Sequence, residues 1–299
     1  MKVGFIGIGQ MGVHMSQRIG GAGHELVVHD SSKEAAAAVL ARGAAWADSP
    51  REVAERCRVV VSCLPTPRIV EEVALGPEGL EKGWRPGDVY IDMSTNSPST
   101  IRRIAAAAAA YGVQVLDAPV SGGARGAELG TLTVMVGGSA ETLERVRPVL
   151  EPMAQKIFLL GEVGCGNVAK LVNNMIGLTC NSACAEGFVL GVKAGIDPKA
   201  LYDLMTISTA DNWSLRQYPN TVFKGNFEPG FKISLANKDI GLALELGEDL
   251  GLNLPVADAV RDDLAAAVAE GRGDKGVDGV ILSLEEAAGI QVRVREEDA

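Results

Sequence analysis

The first twelve residues constrain the fold more than any other stretch of the chain. A short apolar run from Lys2 to Ile8 leads without a break into Gly7-Ile8-Gly9-Gln10-Met11-Gly12, and an apolar pattern of helical period follows. A strand that turns through three glycines into a helix is suited to holding a phosphate. The first glycine permits the tight turn, the second lets backbone approach a pyrophosphate, and the third lets the helix pack close to the strand. Unpaired N–H groups at the helix start then face the phosphates. A second apolar run, Glu25 to His29, ends at Asp30. That is about 20 residues past the glycines, where a carboxylate accepts ribose hydroxyls and repels a 2′-phosphate. Ser31, Ser32 and Lys33 follow, with no arginine among them. The expected cofactor is therefore NAD(H), with NADP(H) kept open by Lys33.

Strand-like runs recur at 2–8, 25–29, 58–63, 88–92, 113–116, 131–136 and 156–160, with helical stretches between them. Asp48-Ser49-Pro50-Arg51-Glu52 has the form of a cap followed by proline in the first helical turn. Beyond 163 the pattern turns helical, at 166–194, 197–207, 233–250, 255–270 and 278–289. The expected fold class is α/β, with a doubly wound, Rossmann-type N-terminal domain over 1–163 and an all-α C-terminal domain over 164–299. No linker rich in Pro or Ser marks the boundary, so one long helix is expected to join the two. At 299 residues and 47% apolar content the chain can fill two cores.

A formal charge of −10 argues against nucleic acid or an anionic membrane surface as partner. No stretch is read as approaching the roughly 20 apolar residues needed to span a bilayer. The chain enters a strand directly, without a basic and apolar leader, so the expected compartment is the cytoplasm. Five cysteines without disulfide-framework spacing fit a reducing environment. The only histidines, His14, His24 and His29, lie near the glycine loop, and no metal site is expected.

Ligands of a doubly wound sheet sit at the carboxyl ends of its strands. Val61 to Pro67 ends one strand and Ile91 to Thr95 the next, and both should border the cofactor. The alternative is that prolines stop the strand and Ser94 or Thr95 caps the helix near Pro98. Asp117-Ala118-Pro119-Val120-Ser121-Gly122-Gly123 follows another strand and offers a hydroxyl beside two unencumbered N–H groups. Such a turn is either an ordinary Ser-Gly turn or a nest for a carboxylate. Gly164 to Asn174, GCGNVAKLVNN, is a glycine-led helix start in which Lys170, Asn173 and Asn174 share one face at i, i+3 and i+4. One titratable donor and two amides in an apolar helix must be paired or functional. Lys238-Asp239 interrupts the apolar pattern of another helix, as a surface ion pair or as part of a site.

Taken together, GxGxxG at 7–12, DAPVSGG at 117–123, GCGNVAKLVNN at 164–174 and NKD at 237–239 resemble the β-hydroxyacid dehydrogenase family, which includes 3-hydroxyisobutyrate dehydrogenase and tartronate semialdehyde reductase. The resemblance spans the whole chain and implies NAD-dependent, reversible oxidation of a small β-hydroxy acid to its semialdehyde, by a homodimer or homotetramer. It implies Lys170 as the catalytic acid/base. Ser121, Gly122, Gly123 and Asn174 match the substrate side. Gly7, Ile8, Gly9, Gln10, Met11, Gly12, Asp30, Leu64, Pro65 and Thr95 match the cofactor side, and Lys238 matches a lysine that closes over the cofactor. Trp213 and Tyr218 fall where the family lines its substrate pocket. Arg216 either grips a second carboxylate or serves as a surface charge, the commoner role. Related readings are a reductase of succinic or tartronate semialdehyde, a serine-type dehydrogenase, and a non-catalytic NAD(P)-binding module. The last would predict a broken glycine loop or a missing lysine, and both features are intact. Chain length and the lack of a basic cluster disfavour a 6-phosphogluconate dehydrogenase, and Lys170 disfavours an imine reductase.

Overall fold

The computed structural model describes residues 1–295 and divides into two compact units, Met1–Lys170 and Leu171 onward. The first unit alternates strand and helix: β1 (Lys2–Ile6), α1 (Gly12–Gly21), β2 (Glu25–His29), α2 (Ala37–Leu40), β3 (Ala45–Trp46), α3 (Pro50–Arg56), β4 (Val59–Ser62), α4 (Pro67–Leu75), β5 (Val89–Asp92), α5 (Pro98–Ala109) and β6 (Gln114–Asp117). It continues through β7 (Val120–Ser121), α6 (Gly123–Leu129), β8 (Leu132–Val136), α7 (Ala140–Leu150) and β9 (Ala154–Leu159). Six strands form a sheet in the order β3-β2-β1-β4-β5-β6, every pairing parallel. This is the order of a dinucleotide-binding, doubly wound sheet.

The continuous apolar runs of the sequence follow from that architecture, because helices cover both faces of a parallel sheet. Side chains alternate across the strand, and the cores divide accordingly. Val3, Phe5, Val28, Val59, Val61, Val89 and Ile91 enter one core. Ile6, Val27, Val60, Tyr90 and Val115 enter the other. Helix starts are set by local chemistry. Ser49 accepts from the N–H of Glu52 and Thr66 from that of Ile69, each followed by proline in the first turn.

The runs at 131–136 and 156–160 do not extend the large sheet. After β6 the chain turns back through Pro119, and β7 pairs antiparallel with β8, which pairs parallel with β9 in a separate three-stranded sheet. A single bridge, Asp117 with Gly137, links the end of β6 to the end of β8.

In the second unit, α9 (Pro198–Met205), α10 (Ile233–Asp249), α11 (Pro255–Ala269) and α12 (Ile281–Ala288) pack with most of α8 (Cys165–Lys193). The sequence reading placed the domain boundary at 163/164. Grouped by contacts, the first unit runs on to Lys170, one and a half turns into α8, and the first turn of that helix is bonded into the sheet domain as described below. Helix α8 also corrects the membrane expectation. Among the described residues it is the one helix long and apolar enough to cross a membrane by length and composition. Its buried residues enter three cores of the second unit in turn along its length, through Leu171, then Leu178, then the trio Ala185, Phe188 and Val189.

Asp278, in the turn before α12, has its carboxyl pushed up to about 6 by burial, a hydrogen bond from Thr221 offsetting part of the rise. Between about pH 4 and pH 6 the folded chain holds a proton there that the unfolded chain releases. Stability from this group is greatest in acid and is lost as pH rises through about 6. Asp278→Asn is expected to raise stability at pH 8 by about 1–3 kcal/mol, with the gain vanishing near pH 4. Thermal melts across that range check it, and a gain independent of pH would contradict it.

Candidate active site

The glycine loop has the geometry its spacing implies. Gly7 has φ of +93°, and a Cβ on it would stand 2.3 Å from the carbonyl oxygen of Cys63. A Cβ on Gly12 would stand 1.8 Å from the carbonyl oxygen of Gly7, so only glycine lets α1 approach β1 so closely. Gly9 differs, with nothing within 4 Å of its Cβ direction. The loop is therefore braced at its ends and open in the middle, which fits a pyrophosphate lying over Gly9 before the N-terminus of α1.

Asp30 is held rather than free. Its Oδ2 accepts from the N–H of Ile8 at 2.7 Å, and its Oδ1 accepts from the N–H of Ser32 at 2.9 Å. The carboxylate at the end of β2 is thus tied to the loop after β1, where a ribose would sit. Lys33, the residue that kept NADP(H) open, sits with its Nζ 5.5 Å from the centre of the Trp46 ring, a cation–π contact.

The ends of β4, β5 and β6 are joined by buried polar groups. Ser62 Oγ donates to Asp92 Oδ1 at 2.9 Å and so accepts from Tyr90 Oη at 2.8 Å. Asp92 also accepts from the N–H of Ser94 and, through Oδ2, from Asn96 Nδ2 at 3.0 Å. Burial pushes the Asp92 carboxyl above its ordinary value, against the pull of these donors. Ser94 does not cap α5. Its hydroxyl accepts from the N–H of Leu64 at 2.8 Å and binds the loop after β5 to the loop after β4. Leu64, Pro65 and Thr95 lie on these two loops.

Asp117 carries the same arrangement to α8. Its Oδ1 accepts from the N–H of Gly164, and its Oδ2 from the N–H of Asn167, both at 2.7 Å. A carboxylate facing the first N–H groups of a helix is favoured by both hydrogen bonding and the helix dipole. Burial nevertheless leaves its carboxyl raised. A Cβ on Gly166 would meet the carbonyl oxygens of Met135 and Asp117 at 2.4 and 2.7 Å, which explains the glycine-led start of α8. Asn167 is fully buried, its Oδ1 accepting from the N–H of Asn96 at 2.7 Å and its Nδ2 donating to Asp117. Lys170 follows three residues later on the same helix.

Ser121 ends β7, and Gly122 and Gly123 take φ of +128° and +63°. Nothing stands within 4 Å of the Cβ direction of Gly123. In the second unit, Asn174 Nδ2 donates to Asp239 Oδ2 at 2.6 Å, while Asn174 Oδ1 accepts from Asn173. Lys238 Nζ is 2.9 Å from Asp239 Oδ1. Asp239 is buried, so Lys238-Asp239 is not a surface pair, and one carboxylate holds both Lys238 and Asn174.

Two aromatic expectations part company. Trp213 is 73% exposed. Tyr218 is 1% exposed and packs edge-on against Phe188 at 4.9 Å and Phe223 at 5.8 Å, so its ring belongs to the helical core and not to an open pocket wall. Arg216 is paired through two nitrogens with Asp211, the surface role. Asn96 was missed in the sequence, and Asp92 and Asn167 stand inside stretches singled out there without a role of their own, while Asp239 was named only as the partner of Lys238. The only signal for them was polar residues inside apolar stretches.

Residues 2–161 match the model for the NAD binding domain of 6-phosphogluconate dehydrogenase, and residues 164–284 match the model described as NAD-binding of NADP-dependent 3-hydroxyisobutyrate dehydrogenase. The chain is 40% identical over 267 residues to a 3-hydroxyisobutyrate dehydrogenase of Pseudomonas aeruginosa, covering 87% of this chain and 90% of that one. It is 36% identical over 294 residues to a 2-(hydroxymethyl)glutarate dehydrogenase of Eubacterium barkeri, covering 98% and 97%. A solved structure of Mycobacterium tuberculosis 3-hydroxyisobutyrate dehydrogenase with L-serine matches with a TM-score of 0.88 at 37% identity, over 95% of this chain and 98% of that one.

Asp117→Ala strands two buried N–H groups at the head of α8. It is expected to lower stability toward urea by about 2–4 kcal/mol, since each unsatisfied buried group costs about 1–3 kcal/mol. An unchanged midpoint would show that the carboxylate does not hold the helix.

Proposed function

This chain belongs to the β-hydroxyacid dehydrogenase family, and on that premise we propose that it oxidises a small 3-hydroxy monocarboxylic acid of the 3-hydroxyisobutyrate kind, preferring NAD over NADP. It is an NAD(P)-dependent dehydrogenase acting on a hydroxyl group. The observation that carries the finer reading is the placement of Lys170 and Asn174 at i and i+4 of α8, on a helix whose first turn is clamped by Asp117.

The residues divide the work. The glycine loop and Asp30 bind the dinucleotide, and the loops holding Leu64, Pro65 and Thr95 border it. When bound, the dinucleotide supplies the hydride acceptor. Ser121, Gly122 and Gly123 receive the substrate carboxylate through a hydroxyl and backbone N–H groups. Asn174 orients the hydroxyl oxygen. Neutral Lys170 takes the hydroxyl proton as the carbinol carbon loses hydride, and in the reverse direction its ammonium returns that proton to the oxygen. Asp239 supports Asn174 and Lys238. Trp213 is retained as a substrate contact, while Tyr218 serves the helical core.

Preference for NAD is supported by the fixed Asp30 carboxylate and by the engagement of Lys33 with Trp46. A monocarboxylate is favoured because Arg216, the candidate grip for a second carboxylate, is taken up by Asp211. A homo-oligomer is supported by exposed apolar side chains of the helical unit, among them Ile207 at 86% and Leu190 at 72%.

Lys170→Ala is expected to lose at least about 100-fold in kcat while NADH still binds, as followed by cofactor fluorescence. Near-normal turnover would refute the assigned role. Asp30→Ala is expected to narrow the ratio of kcat/KM for NADH over NADPH by about tenfold or more, the worth of a charged hydrogen bond. An unchanged ratio would mean that Asp30 does not touch the ribose.

A further inference from the structure

Asn167 satisfies two demands at once, and neither is needed merely to make a helix. Its Oδ1 accepts from the N–H of Asn96, in the loop that carries Thr95. Its own N–H and Nδ2 both point to Asp117 Oδ2. The side chain is completely buried, so no water competes for these bonds. A helix cap needs only an acceptor, and Asp117 already provides that. The additional bond to Asn96 fixes something else, namely the rotation and height of the first turn of α8 against the loop after β5. Asn96 is in turn fixed by Asp92, which also holds Ser62 and Ser94, and Ser94 holds Leu64. A continuous chain of hydrogen bonds therefore runs from the two loops at the carboxyl ends of β4 and β5 to the turn that precedes Lys170. Every member lies within the first unit.

We propose that Asn167 is a positioning residue for the dehydrogenase reaction, registering the helical turn that bears Lys170 to the strand-end loop that borders the dinucleotide. Hydride transfer and proton transfer occur at adjacent atoms of one substrate, so the base and the cofactor must be set in one frame. A misplacement of about 1 Å is enough to cost about 100-fold in rate. Asp117 anchors the helix along its axis, and Asn167 sets its register to the cofactor loops. The inference rests on the assignment of Lys170 as acid/base.

The test is a double-mutant cycle of Asn167→Ala and Lys170→Ala, assayed with NAD+ and the hydroxy acid of highest kcat/KM, with NADH affinity and thermal midpoint measured on each protein. Asn167→Ala is expected to lower kcat by about 10- to 100-fold, with NADH affinity within about twofold of the parent and KM little changed. In the Lys170→Ala background it should lower the residual kcat by less than about twofold, because a residue acting through Lys170 has nothing left to position. Multiplying losses, or NADH affinity falling in step with kcat, would overturn the proposal and leave Asn167 a structural residue. If Lys170→Ala alone keeps near-parent turnover, the acid/base assignment fails, and the proposal with it. Should Asn167→Ala not fold, Asn167→Ser enters the same cycle with the same expected outcomes.

Discussion

The carboxylate of Asp117 is the interaction on which the arrangement of this molecule turns. Taking a charge out of water is costly unless hydrogen bonds replace the solvent. Here the N–H groups of Gly164 and Asn167 and the amide of Asn167 replace it, all from the head of one helix. Those N–H groups would themselves be orphaned without an acceptor. Strand end and helix start thus complete one another, and the glycine at 166 exists to let them meet. From that junction the place of Lys170 along α8 follows by helical geometry alone.

A second principle runs through the nucleotide and substrate sides. Groups that would touch a ligand are held in place by hydrogen bonds within the protein. Asp30 is pinned by the N–H of Ile8, the loop of Leu64 by Ser94, and Asn174 by Asp239. Rigid placement before binding lowers the ordering that binding must impose.

Much of the fold was legible because its signals are local. The longer strands of the six-stranded sheet are continuous apolar runs covered on both faces, and β1, β2, β4, β5 and β6 stand where those runs do. Helices α8, α10 and α11 follow their apolar periods to within a residue or two. What escaped has no local period: the two-residue strands β3 and β7, and the turn at Pro119 that starts a second sheet. The site divides in the same way. Glycine loops, Ser121 and Lys170 stand in spaced motifs and could be found. Asn167, Asn96 and Asp239 bond partners 50 to 71 residues away, and no window of sequence shows that pairing. Tyr218, placed by the family resemblance where a substrate pocket is lined, instead fills the core of the helical unit against Phe188 and Phe223.

The most direct measurement is NADH absorbance with the purified protein against 3-hydroxyisobutyrate, 3-hydroxypropionate, L-serine, 4-hydroxybutyrate, glycerate and 2-(hydroxymethyl)glutarate, with NADP+ in parallel. The account predicts turnover of a 3-hydroxy monocarboxylate with NAD+, faster than with NADP+ and faster than that of the dicarboxylate. Tight NADH binding with no turnover of any of these acids would contradict it.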